Sequence, residues 1–139
     1  MSRLIWLRSD LRLTDNPALH YAFEDSKNIC AEGLADSTNS AHVIALFVLC
    51  QEYIDTHPIG PRKLGFINDA LVSLSTALAT CAVELNVLYV ESKEDVAGRV
   101  LQFCLEREIK VVYANREYPL DERRRDKRFE ALSKDNGIE

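Results

Sequence analysis

Charged side chains follow the first apolar run of this sequence, LIWL at residues 4–7, in close alternation. They are Arg8, Asp10, Arg12 and Asp15. Arginine and carboxylate groups at the end of a strand can bind a charged ligand, or they can pair with each other and hold the turn. We expect Arg8 to face a ligand or a partner domain. We expect Asp10 and Arg12 to pair across the turn.

A second charged run, DERRRDKR, occupies residues 121–128. On a helix, Asp121 with Arg125 and Glu130 with Lys134 have the spacing of ion pairs, each contributing about 0.2–0.5 kcal/mol. Asp121 and Glu122 at the start of that helix can also be anions that complement the helix dipole. Alternatively, they can accept N–H groups from an amino-pyrimidine edge of a ligand, because a carboxylate takes two donors at once. The pattern leaves both roles open.

One of the three histidines has a sequence context that suggests function. His57 lies in the loop DTHPIGPRK, and loops at strand ends carry function more often than strands do. His20 falls on a predicted helix and His42 at a strand start, which favours structural roles for both.

Several kinds of site are not indicated by the sequence. It has no GxGxxG or GxxxxGK[ST] loop, no CxxC pair and no spacing typical of a Ser/His/Asp or Cys/His catalytic group. We therefore predict no catalytic residue, no metal site and no nucleotide held by its phosphates. Cys50, Cys81 and Cys104 lie in apolar runs and are predicted to be buried, reduced thiols.

Apolar runs alternate with helical patterns along the chain. Strands are predicted at 4–7, 42–49, 83–91 and 110–117, helices at 17–23, 61–80, from 96 to about 104 and at 121–136, and a surface loop at 25–41. This order predicts the α/β class, a Rossmann-like doubly wound parallel sheet with helices on both faces. The final GIE lies where another strand would start, so about five strands are expected. Ligands of such sheets bind beyond the carboxyl ends of the strands.

The overall composition predicts one soluble domain. The 139 residues are 47% hydrophobic with a net charge of −5, and an acidic chain is poorly suited to binding nucleic acid on its own surface. No apolar run is long enough to span a membrane, and no signal pattern precedes residue 4, so we expect a cytoplasmic protein without membrane contact.

Three stretches resemble the DNA photolyase and cryptochrome family, most closely its folate-binding photolyases. WLRSDLRLTDNPAL resembles the family signature R-x-D-L-R-x-x-D-N-x-A-L. The matching residues are Arg8, Asp10, Leu11, Arg12, Asp15, Asn16, Ala18 and Leu19. THPIGPRK and YPLDERRRD resemble further family stretches in the same register. The resemblance covers essentially the whole chain.

The resemblance implies that residues 1–139 are a single N-terminal α/β antenna domain. Such a domain holds a second chromophore, methenyltetrahydrofolate or instead a deazaflavin or flavin, and passes its excitation to FAD. The FAD is bound by a C-terminal helical domain outside this chain, which also receives the flipped-out pyrimidine dimer of damaged DNA. The implied partner is that FAD domain, and this domain alone should be catalytically inactive.

The resemblance also implies cofactor-binding residues. His57 matches the loop histidine of folate-binding members, and Glu122 matches the carboxylate that accepts from the pterin. Asp121 stands where the folate pattern has asparagine, so an acceptor replaces a group that is both donor and acceptor. Arg8 joins these three by its place at the strand end. The 25–41 stretch is extended relative to other members.

Two other functions remain open at this point. One is a cryptochrome-type blue-light photoreceptor fragment, which an N-terminal domain alone hardly distinguishes from a photolyase. The other is a nucleotide-binding, stress-type α/β module, which should show a glycine-rich loop after its fourth strand. The stretch YANREYPLDE has no glycine.

Overall fold

A parallel sheet flanked by helices forms the chain in a computed structural model that describes residues 2–31, 42–57 and 59–139. The strands are β1 (Ser2–Leu7), β2 (Val43–Cys50), β3 (Glu84–Val90) and β4 (Ile109–Tyr113). The helices are α1 (Pro17–Ala31), α2 (Gln51–Thr56), α3 (Pro61–Ala79), α4 (Val96–Glu106) and α5 (Leu120–Asp135). The predicted α/β class is confirmed.

The four strands of the described residues lie in the order β3-β2-β1-β4, all parallel. About five strands were expected, and beyond β4 the structure has a single bridged residue. The Glu139 N–H donates to the Lys110 carbonyl at 2.9 Å, and the Val112 N–H donates to the Glu139 carbonyl at 2.7 Å. This is parallel-sheet pairing, but one bridged residue is not a strand.

The two faces of the sheet bury separate cores. Leu4 and Trp6 of β1 pack with α4 and α5, whereas Ile5 and Leu7 pack with α1 and α3. Successive strand residues point to opposite faces, so an uninterrupted apolar run is the pattern that a doubly covered strand requires. The sheet is therefore doubly wound, as predicted.

Helix α1 is longer than the sequence pattern predicted. It continues to Ala31, so the loop predicted at 25–41 is wrong for residues 25–31, and residues 32–41 lie outside the described part. Serine, lysine and asparagine are less favourable than alanine in a helix by no more than about 0.7 kcal/mol each, so the loss of an apolar period does not by itself end a helix.

Helix α3 carries an apolar stripe whose first half is less buried than its second half. Leu74 and Leu78 are buried, but Leu64, Ile67 and Leu71 are only partly covered. Leu64 and Ile67 face an open cleft instead of the sheet. An apolar stripe thus marks both a core contact and the wall of a cleft.

A serine cap and a glycine mark the ends of the later helices. Ser92 accepts the Glu94 N–H at 3.3 Å and caps a short 3-10 turn, Lys93–Asp95, that leads into α4. Gly137, after α5, has φ +66°, a left-handed conformation that favours glycine.

The thiol predictions are confirmed only in part. Cys104 is buried, and burial raises the pKa of its thiol to about 12. Cys50 is half-buried, whereas Cys81 is exposed because it lies in the turn after α3 and not in a strand. Across the described residues, no helix has the length and apolar character needed to cross a membrane.

Candidate functional site

A cleft of about 860 Å³ opens above the carboxyl ends of β1 and β2. The ends of the two strands form its base, and helices α2, α3 and α5 form its walls. Its apolar lining includes Trp6, Phe47, Leu64, Phe66 and Ile67. The Phe66 side chain is 73% exposed, so an apolar wall faces open space. The cleft can accept a flat aromatic ligand.

Arg8 lies at the edge of this cleft, but its guanidinium is already paired. It makes two contacts with the Asp126 carboxylate, at 2.8 and 2.9 Å, and donates to the Asn115 carbonyl at 2.9 Å. Burial lowers the pKa of Arg8 and Arg125 lowers it further, whereas the charges of Asp126 and Glu117 oppose this change. With its side chain only 7% exposed, Arg8 fills the crevice between β1 and β4.

Trp6 lies beneath two guanidinium groups. Arg8 is 4.5 Å and Arg125 5.1 Å from the centre of its indole ring, and Phe129 meets the ring edge-on at 5.2 Å. Cations over an aromatic face are attracted by its quadrupole, so these contacts hold both arginines inward. Trp6 is only 2% exposed yet lines the cleft.

Glu117 completes this cluster of charges. It accepts from Arg125 at 2.9 Å and from the Ser9 hydroxyl at 2.9 Å. Burial alone would raise the pKa of Glu117, but the hydrogen bonds from Arg125 and Ser9 and the charges of Arg125 and Arg8 outweigh it and hold the pKa below its usual value.

Of the two ion pairs predicted along α5, one is confirmed and one is wrong. Glu130 and Lys134 pair at 2.9 Å as expected. The predicted pair of Asp121 with Arg125 is wrong, because Arg125 turns inward to Glu117. Buried partners compete better than a solvent-exposed neighbour one turn away.

The turn after β1 is held by an amide. The Asn115 side chain donates to the carboxylate of Asp10 and, at 2.7 Å, to Asn16. Asp10 also accepts the Arg8 N–H at 2.8 Å. The predicted Asp10–Arg12 pair is therefore wrong: Asp10 points to these donors, and Arg12 forms no ion pair with any described residue.

Asp121 and Glu122 both line the cleft at the start of α5. The Lys93 Nζ approaches the Asp121 carboxylate at 3.4 Å. Lys93 is positioned by Glu52, which accepts the Lys93 N–H at 2.7 Å and the Ser92 hydroxyl at 3.2 Å. The pair links the turn after β3 to α5 across the cleft.

His57 is exposed and, among the described residues, is not part of the cleft lining. Its ring stacks on Tyr53 at 4.2 Å, and Tyr53 does line the cleft. Partial burial and the charges of Glu122 and Glu117 raise the pKa of Tyr53, so its hydroxyl stays a neutral donor beside the acidic groups. Of the four predicted residues, Arg8, Asp121 and Glu122 therefore line the cleft, and His57 contacts the lining residue Tyr53.

Sequence reasoning missed Lys93, Tyr53 and Glu117 as members or supports of this site, and it gave Asn115, at the end of the fourth strand, no specific role. Lys93, Glu117 and Asn115 follow the ends of β3 or β4 within four residues. The rule that ligands bind beyond strand ends would have included them. Tyr53 belongs to the short helix α2, for which the sequence has no clear period.

The chain matches a known family over nearly its whole length. The family model described as DNA photolyase matches residues 3–139. A deoxyribodipyrimidine photo-lyase of Escherichia coli is 35% identical over 90% of this chain and 24% of its own length. One of Buchnera aphidicola is 30% identical over 97% of this chain and 26% of its own length. This chain thus spans about a quarter of these relatives.

Solved structures share the fold. An archaeal photolyase of Sulfolobus tokodaii, described with two FAD molecules and the implication of a novel light-harvesting cofactor, has a TM-score of 0.72 at 24% identity, covering 100% of this chain and 28% of its own. A cryptochrome of Synechocystis has a TM-score of 0.76 at 19% identity, covering 99% of this chain and 26% of its own. Together with the family match over residues 3–139, these findings show that the chain belongs to the DNA photolyase family.

Proposed function

We propose that this chain is the light-harvesting domain of a DNA photolyase. It binds a second chromophore in the cleft and passes the excitation to FAD held by a C-terminal domain outside this chain. Repair of pyrimidine dimers is proposed for the whole protein, with damaged DNA bound through the FAD domain, and the antenna domain alone is inactive. The photo-lyase names of the curated relatives favour this function over a cryptochrome-type photoreceptor. The family match favours it over a stress-type module.

The size and lining of the cleft are the observations that most support this proposal. Its volume of about 860 Å³ lies within the range of roughly 300–1,000 Å³ that holds ligands of this size. Apolar walls suit a flat heteroaromatic ring, and Glu122 supplies an acceptor for ring N–H groups. An antenna needs a fixed pigment shielded from water but no acid, base or nucleophile. The residues of the cleft therefore fit an antenna pigment.

We infer that methenyltetrahydrofolate is the pigment, with a flavin or deazaflavin as the rival. When bound, the pigment absorbs the photon. Glu122 would accept from the amino-pyrimidine edge of the pterin. The Lys93–Asp121 pair would present an ammonium donor and a carboxylate acceptor together, which restores the two functions of the amide in the folate pattern. His57 would hold the Tyr53 ring in place by stacking.

Truncation of Glu122 is expected to weaken pigment binding at least about tenfold, since a hydrogen bond to a charged group contributes roughly 1.5–3 kcal/mol. Methenyltetrahydrofolate is titrated into the chain and into its Glu122→Ala variant, and the shift of the pigment absorbance is followed. Glu130→Ala is the matched control, because Glu130 lies on the same helix, pairs with Lys134 and does not line the cleft. If Glu122→Ala and the unchanged chain bind with equal affinity, Glu122 does not contact the pterin ring. If the unchanged chain does not bind methenyltetrahydrofolate at all, the proposal that this folate is the pigment is wrong.

The Lys93–Asp121 pair makes a second, separable prediction. Lys93→Met should weaken binding of methenyltetrahydrofolate by roughly tenfold, because it removes the donor and leaves an unpaired carboxylate. Asp121→Asn should retain affinity, because an amide offers both donor and acceptor. The double variant Lys93→Met/Asp121→Asn should recover most of what Lys93→Met loses. If the two substitutions are simply additive in the binding titration, the pair does not act as one unit.

A further inference from the structure

Two arginines on α5, Arg124 and Arg128, line the cleft one helical turn apart. Both are exposed, and neither forms an ion pair with any residue in 2–31, 42–57 or 59–139. Like charges at this spacing repel each other and destabilise a helix slightly. Arg12 and Lys63 also line the cleft without an ion pair, but among the described residues only Arg124 and Arg128 are two such cations one turn apart on one helix.

The neighbouring acidic groups of α5 are already engaged. Asp121 pairs with Lys93, Asp126 with Arg8, and Glu130 with Lys134. Residues three and four positions from Arg128 are Arg124, Arg125, Ala131 and Leu132, none of which is acidic. The two remaining carboxylates of the helix, Glu122 and Asp135, form no ion pair with Arg124 or Arg128 in the part of the chain that the structure describes.

Acidic side chains from another element limit where an anion can lie. Glu94 lines the cleft, and Glu91, Glu94 and Asp95 line a shallow groove beside Arg128. None of them is within ion-pair distance of Arg124 or Arg128 in the described chain. Glu91 and Asp95 line the groove but not the cleft, so an anion is repelled more strongly in the groove than on the cleft side of α5.

We propose that Arg124 and Arg128 form a subsite for the anionic tail of the pigment. The tail is the terminal glutamate of a folate or the phosphate of a flavin nucleotide, and guanidinium groups bind either with paired N–H donors. This inference rests on the proposed antenna function. Glu122, which holds the ring, precedes Arg128 by six residues, about 9 Å along a helix. Ring and tail thus bind along one helix.

The test compares pigments with and without the charged tail. Methenyltetrahydrofolate and FMN are the tailed probes, and a tetrahydropterin and riboflavin are the tailless ones. The cleft variant is Arg124→Gln/Arg128→Gln. Its matched control is Arg123→Gln/Lys127→Gln, which removes the same charge from the same helix at positions outside the cleft lining. Affinities are measured by equilibrium titration at two salt concentrations.

We expect the cleft variant to bind the preferred tailed pigment at least about tenfold more weakly, with a reduced dependence on salt. Its affinity for the tailless counterpart should be unchanged, and the control should bind like the unchanged chain. Comparing the folate pair of probes with the flavin pair shows whether the subsite binds the glutamate tail or the phosphate. Equal losses in the two double variants, or no loss in the cleft variant, would overturn the subsite while leaving the antenna function intact. If the unchanged chain bound no tailed pigment, both proposals would fail.

Discussion

Replacement of Arg8 by methionine is expected to lower the free energy of unfolding by about 3 kcal/mol. Removal of one partner from a buried ion pair typically costs roughly 3–5 kcal/mol, because the other charge is left uncompensated. The lower end applies here, since the side chain of Asp126 is 27% exposed and Arg125 still contacts it. The loss is measured by urea denaturation followed by far-UV circular dichroism.

Arg12 offers the matched control for Arg8. It belongs to the same family signature but is exposed and unpaired among the described residues. Arg12→Met should therefore change stability by no more than about 0.5 kcal/mol. In a second comparison, Asp126→Leu combined with Arg8→Met should recover part of the loss, because an apolar pair leaves no buried charge. Equal effects of Arg8→Met and Arg12→Met would show that the buried pair is not what stabilises the crevice.

Binding of a near-ultraviolet pigment in the cleft is expected to quench most of the emission of Trp6. This residue is the only tryptophan of the chain and lines the cleft. Energy transfer falls steeply with distance, so a pigment in contact with the cleft base should accept nearly all of the indole excitation. Excitation of the indole in the presence of methenyltetrahydrofolate should therefore produce emission of the pigment.

Two variants test whether that transfer comes from Trp6 and from the proposed site. Trp6→Phe should abolish the sensitised emission while leaving pigment absorbance in place. In Glu122→Ala, a higher pigment concentration should be needed to quench the Trp6 emission, but the emission at saturation should fall to the same level as in the unchanged chain. Binding of the pigment with undiminished Trp6 emission would place the pigment away from the cleft.

These contacts give Arg8 and Asp10 of the family signature a structural role. Arg8 and Asp10 join β1 to residues that follow β4, namely Asn115 and Asp126. They stabilise the base of the cleft and leave few donors for a ligand. The charged groups that remain available to a pigment are Arg12 of the signature, Lys63 of α3, and residues of the turn after β3 and of α5. A signature made of charged residues thus serves mainly to build the site.

The sequence alone determined the class of fold and the order of its elements. Uninterrupted apolar runs marked β1 and β2 as strands of a doubly wound sheet, and helical patterns between the runs marked the helices. These signals are local, because burial of a strand or helix face repeats with the period of its own backbone. The sequence also placed Glu122 and Asp121 at a helix start, which the structure brings to the cleft.

Only the tertiary structure decided which charged groups pair. Arg8 meets Asp126 across 118 positions of sequence, Arg125 prefers Glu117 to Asp121, and Lys93 takes Asp121 instead. Spacing along a helix shows which neighbours can meet but not which distant group the sheet brings closer. Burial then strengthens the distant pairs, because water no longer screens them. For that reason two arginines that look alike in the sequence differ here: Arg125 is held over Trp6, and Arg124 lines the cleft without an ion-pair partner among the residues that the structure describes.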